Sequence, residues 1–169
     1  VAEYHDIWGT PHAASDSTRR GLLQAMGIAC GDDAEITASL QDWQMRHWQQ
    51  RLAPVQVVPV NQTPCLRLHL RQDEMGQRRT WALKLENGKT QTGTFDPASL
   101  TQLDSTEIDG RPWLAIELAL PVITETGYHQ LQIDGFDTHL DLIVHPLGCH
   151  QPLADGQRVW GLSVQLYGV

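Results

Sequence analysis

The sequence predicts a mainly β protein: an immunoglobulin-like antiparallel β-sandwich of about seven strands with a small N-terminal helical element. The hydrophobic period carries this reading. Apolar residues recur at steps of three and four before residue 53, then at every second position after Pro54. Turn dipeptides are the second observation. Asn87-Gly88, Asp109-Gly110, Thr126-Gly127 and Asp134-Gly135 divide the second part into short runs. The expected organisation is a helical element over residues 1–53, a sandwich over 54–146, and a linker with one further strand over 147–169.

Taken in order, residues 1–11 read as an irregular segment lying across the helices. Tyr4, Ile7 and Trp8 are too apolar for a free tail, and Gly9-Thr10-Pro11 marks a turn. Ser15 is a good N-cap for a helix whose stripe is Leu22, Leu23 and Met26, stopped by Gly27. Asp32 opens a second helix, with Glu35 placed as in a capping box. Ile36, Leu40, Trp43 and His47 then share one helical face.

The strands begin with Val55, Val57 and Val58, and Pro59 suits an edge or a bulge. Leu66, Leu68 and Leu70 alternate with Cys65, Arg67 and His69, as in a half-buried strand. Trp81, Leu83 and Leu85 form the next apolar face, which makes Trp81 a core residue. Asn87-Gly88 turns the chain into a return strand ending near Phe95. Residues 96–106 read as a loop with one helical turn after Pro97. Leu114, Ile116, Leu118 and Leu120 share a face, which places Trp113 on the opposite one. Tyr128, just after the Thr126-Gly127 turn, has the position of a tyrosine corner. Leu140, Leu142 and Val144 define the last strand of the sandwich, and 147–157 leaves it as a linker.

Composition excludes several functions. A formal charge of −8 opposes nucleic-acid binding, which needs clustered Lys and Arg. No apolar run approaches a membrane span. Cys30, Cys65 and Cys149 form no CxxC pair and read as reduced thiols of a cytoplasmic protein. The eight His are scattered and no HExxH occurs, so neither a metal nor a cofactor is expected. Asp32, Glu35, Asp109 and Asp134 are accounted for by caps and turns, and Glu86 and Glu117 by solvent faces. No catalytic residue is assigned.

The closing run Val159-Trp160-Gly161-Leu162-Ser163-Val164-Gln165-Leu166-Tyr167 alternates strictly, with Trp160, Leu162, Val164 and Leu166 on one apolar face. It resembles the opening strand of the catalytic barrel in bacterial 4-alpha-glucanotransferases (amylomaltase, the maltodextrin disproportionating enzyme). Three earlier pieces resemble the N-terminal extension of that family's long members: Tyr4-His5-Asp6-Ile7-Trp8-Gly9, residues 17–27, and Gly127-Tyr128-His129-Gln130-Leu131. The resemblance implies an accessory region of an enzyme transferring α-1,4-glucan segments between maltodextrins in the cytoplasm, without an organic cofactor. The family's nucleophilic Asp and acid/base Glu have no match in this chain. The implied partners are the enzyme's own barrel and maltodextrin, and the exposed run 160–166 would favour self-association. A free-standing immunoglobulin-like interaction or carbohydrate-binding module is the alternative.

Trp113, Trp43 and Trp48 are the candidate glucan contacts, because indole faces stack on the apolar faces of sugars. Packing against the helices or a neighbouring domain would explain the same residues. Tyr128 and Trp160 are assigned structural roles, the first as the corner and the second as the barrel strand's lead residue.

Overall fold

The computed structural model describes residues 3–149 and 156–164. The N-terminal segment is a small hairpin rather than irregular chain, β1 (Glu3–His5) pairing with β2 (Pro11–Ala13). Asp6 closes it: its carboxylate accepts from the Trp8 and Thr10 amides, both at 2.9 Å.

Helix α1 (Asp16–Ala25) is capped by Ser15, and α2 (Asp33–Gln49) by Asp32, whose carboxylate accepts from Glu35 N at 2.8 Å. Polar contacts join the two. Arg20 donates to the Cys30 carbonyl at 2.6 Å and Ser39 to the Ala29 carbonyl at 2.7 Å, around a buried Cys30. The stripe Ile36, Leu40 and Trp43 is exposed, as are Leu22, Leu23 and Met26 on α1. The helix turns another face to the sandwich, with Met45 and Trp48 half-buried.

Eight strands form the sandwich. They are β3 (Val55–Pro59), β4 (Cys65–Arg71), β5 (Arg79–Lys84), β6 (Thr90–Phe95), β7 (Thr101–Ile108), β8 (Arg111–Ala119), β9 (Gly127–Ile133) and β10 (Leu140–His145). One sheet runs β3-β10-β9-β5-β6 and the other β4-β8-β7. All pairs are antiparallel except β3 with β10, which is parallel. Leu66, Leu68, Leu70, Leu114, Ile116 and Leu118 face Leu83, Leu131, Ile133, Leu140, Leu142 and Val144 across one buried core. Each such side chain contributes roughly 1.5–3 kcal/mol relative to exposure. Trp81 belongs to that core, as its phase with Leu83 predicts, and Gly93 on β6 leaves room for its ring.

Residues 96–106 correct the loop expectation. The expected helical turn is present as the 3-10 turn Pro97–Ser99, but the chain from Thr101 onward belongs to β7. This strand lies at a sheet edge and is almost wholly exposed, so no apolar alternation announced it. A bulge between Gln102 and Asp104 shifts its register by one residue. Since a one-residue shift reverses side-chain facing, the bulge sends Asp104 and Thr106 to the outer face, beside Ala115 and Trp113.

Tyr128 is a second correction. Leu131 and Ile133 face the core, so period-two alternation turns Tyr128 outward, and it is 71% exposed. No tyrosine corner is built. The strand start is tied instead by Glu86, whose carboxylate accepts from Tyr128 N at 2.9 Å, and by the buried His129. Residues 158–164 belong to no described strand, so the expected final strand has no ladder there. Trp160 is 93% exposed, and Val159, Leu162 and Val164 are exposed with it; Leu166 lies outside the described residues.

Candidate functional site

The outer face of the three-stranded sheet is organised in rows. His69, Ala115 and Asp104 are neighbours across β4, β8 and β7, with Arg71, Trp113 and Thr106 in the next row. The C-terminal end of α2 is pinned over the first row. His69 N donates to the Arg51 carbonyl at 2.9 Å, Leu52 bridges to Leu68, and His69 Nδ1 lies 3.0 Å from the Gln50 carbonyl.

His69 is therefore a buried polar keystone. Arg67 Nε donates to its Nε2 at 3.1 Å, which places the ring proton on Nδ1, donating to Gln50. The Trp48 ring tilts over His69 at 4.7 Å and the His47 ring meets it edge-on at 5.5 Å. Arg67 also reaches past the small Ala115 to Asp104, 3.2 Å away, and lies 5.9 Å from the Trp48 centroid. Burial first, and the Arg67 charge second, hold His69 below the usual imidazole value.

The linkage has a definite sign. With the folded value depressed, the unfolded chain takes up the proton first as the pH falls. Stability is full above the unfolded value of about 6.5 and declines below it. Urea unfolding between neutral pH and pH 5 is expected to show this loss, with a shallower slope in His69→Gln. Equal slopes for the two proteins would refute the assignment.

Beside this keystone lies a groove of about 920 Å³ between α2 and β7. Trp43, Trp48, His47, Gln41 and Gln44 line it from the helix, and Asp104, Ser105, Thr106, Glu107 and Asp109 from the strand. Trp43 stacks on His47 at 5.6 Å with only 7° between the rings, and is still 59% exposed. Arg46 pairs with Asp42 at 2.7 Å and Arg67 with Asp104 at 3.2 Å, whereas Glu107 and Asp109 pair with no cation among the described residues.

Of the sequence candidates, Trp43 and Trp48 thus meet in one groove. Trp113 is half-buried on β8 beside Thr106 and does not line the groove. Sequence reading missed the carboxylate wall because it read β7 as a loop. The usable signals were Thr101, Thr106 and Ile108 leading into the Asp109-Gly110 turn, where both residues have positive φ (51° and 71°). Among the described residues no cluster of His, Cys, Asp and Glu could hold a metal ion, and no helix is long and apolar enough to cross a membrane.

Comparison with known proteins follows the sandwich closely. Residues 51–146 match the family model described as the MalQ N-terminal beta sandwich domain. Over its whole length the chain is similar to the 4-alpha-glucanotransferases of Mycobacterium bovis and Mycobacterium tuberculosis, each 28% identical over 178 residues. The chain spans 23% of the length of those relatives. Among solved structures, amylomaltase from Corynebacterium glutamicum aligns with 86% of this chain and 21% of its own, at TM-score 0.65 and 21% identity. That likeness is one of fold. With more than half its length inside the matched region, the chain belongs to the MalQ N-terminal β-sandwich family.

Proposed function

We propose that this chain is the non-catalytic N-terminal accessory region of a 4-alpha-glucanotransferase that moves α-1,4-glucan segments between maltodextrins in the cytoplasm. It docks on the catalytic barrel as a scaffold and offers the glucan an additional contact surface. The observation that carries the docking is the exposure of eight large apolar side chains between Tyr4 and Leu40. They cover the hairpin, α1 and α2 on faces that the sandwich does not use. Exposed apolar surface on this scale marks an interaction site, and relatives more than four times as long supply a candidate partner within the same polypeptide.

The carboxylates agree with a non-catalytic role. Retaining glycosyl transfer needs two carboxyl groups about 5 Å apart across the scissile bond. Asp32 and Asp109 serve as cap and turn, and Glu74 is held among arginines. The free-standing interaction module would need residues 159–166 to complete a sandwich sheet, and of these the described residues 159–164 belong to no described strand.

The test uses two proteins. The 169-residue chain alone is expected to leave maltotriose unchanged, while the same chain continuous with its catalytic portion disproportionates it to glucose and longer dextrins. Ile36→Glu with Leu40→Glu is then expected to lower the melting temperature of the longer protein by several degrees, since burying charge at an interface is costly. In the chain alone the same pair should melt like the parent. An unchanged longer protein would refute docking through this face.

A further inference from the structure

We infer that the groove between α2 and β7 is the glucan contact, and that it takes a neutral, linear α-1,4-glucan segment. The inference rests on the glucan-contact reading above and gives it a place and a ligand chemistry.

The walls set the charge of the ligand. Asp42, Asp104, Glu107 and Asp109 line the groove, and no Lys or Arg does. Phosphorylated sugars, nucleotides and acidic peptides would meet the uncompensated charge of Glu107 and Asp109, with no Lys or Arg lining the wall to receive them. A cation is the other ligand that carboxylates and indoles accept. Two of the four carboxylates are already answered by guanidinium groups, Asp42 by Arg46 and Asp104 by Arg67. The wall also carries Ser105, Thr106, Gln41 and Gln44, which offer a cation little and suit a polyol well. Hydroxyls can donate to Glu107 and Asp109 and accept from the Gln amides.

The rings set its shape. Trp43 is held by its stack on His47, whose ring in turn abuts the buried His69. It is thus a large planar platform that loses little freedom on binding, the condition under which stacking contributes most. Trp48 lies five residues along, about 7.5 Å by helical rise, so the aromatic lining extends beyond one ring. A volume of about 920 Å³ is at the upper end for small-molecule sites, which suits a run of sugar units better than a monosaccharide.

The test is titration of the 169-residue chain with maltoheptaose, followed by tryptophan fluorescence and calorimetry. Binding is expected, with affinity reduced about tenfold or more in Trp43→Ala and about threefold in Glu107→Gln. Trp113→Ala should bind like the parent, and circular dichroism confirms that each variant is folded. Sulfated maltoheptaose should bind at least tenfold more weakly than the neutral sugar, and spermine should not displace it. Maltoheptaose that binds Trp43→Ala as tightly as the parent would place the contact elsewhere and overturn the groove, leaving the glucan reading intact. No binding at millimolar maltoheptaose would overturn the glucan reading itself. Displacement by spermine would make the groove a cation site.

Discussion

Glu74→Ala is expected to destabilise the chain by about 3–5 kcal/mol, because it removes the buried anion shared by the buried Arg79 and the half-buried Arg51 and Arg71. Glu74 closes a 3-10 turn after β4 and is buried. Its Oε1 accepts from Arg51 Nη2 and from Arg79 Nη2, the latter at 3.0 Å. Its Oε2 accepts from the Arg71 amide at 3.1 Å and from Arg71 Nε at 3.3 Å. The arginines continue outward, Arg79 to the Asp134 carbonyl at 2.9 Å and Arg51 to the Gly135 carbonyl at 3.1 Å, both over the Phe136 ring. The Nε–H donors of Arg51 and Arg79 are buried without a partner among the described residues, so losing Glu74 would add to donors that are already unsatisfied. One carboxylate thus joins the end of α2, the β4–β5 connection and the β9–β10 turn.

The pH dependence separates charge from packing. Burial alone would raise the Glu74 carboxyl, but hydrogen bonds from Arg51 and from the Arg71 amide outweigh it, and the group lies below its usual value of 4.5. Its stabilisation is therefore full above about 4.5 and lost as the pH falls through the folded value. The gap between parent and Glu74→Ala in urea unfolding should be widest at neutral pH and narrow in acid. A gap below about 1 kcal/mol at pH 7 would mean that solvent already satisfies the arginines.

This cluster shows what the sequence could and could not disclose. β4, β5 and β8 were legible because Leu, Ile or Trp recurs at every second position on the face turned to the core, although His69 and Ala115 on the opposite face are buried too. The Asn87-Gly88 hairpin was legible because it is local chemistry, and Gly88 adopts a φ of 86°. Glu74 was not legible, since Arg51, Arg71 and Arg79 meet it only through tertiary folding. Nor was β7, an edge strand exposed on nearly every residue, although it builds one wall of the groove. The α2 stripe was read correctly as one face, but which face meets the sandwich depended on Trp48 finding His69 and Arg67. Trp43 and Trp48 were therefore identifiable as candidates, while the carboxylates opposite them were not.

The second large effect belongs to His129. His129→Leu is expected to cost about 2–5 kcal/mol, while Tyr128→Phe next to it leaves the unfolding midpoint where it was. A tyrosine corner would predict the reverse. Alternation decides between them: with Leu131 and Ile133 facing the core, residue 129 must face it too, and His129 is 2% exposed. Its ring does the tying. Glu86 N donates to Nδ1 at 3.1 Å, so the proton sits on Nε2, which donates to the Glu125 carbonyl at 3.1 Å. The two bonds fasten the end of the β5–β6 hairpin to the loop before β9. Leucine would fill much of the volume but leave one amide and one carbonyl without partners, at roughly 1–3 kcal/mol for each group kept from water. His129→Gln can restore one of the two bonds and should recover part of the loss. If His129→Leu unfolds with the parent while Tyr128→Phe is destabilised, the tie runs through the tyrosine hydroxyl and the described register of β9 is wrong.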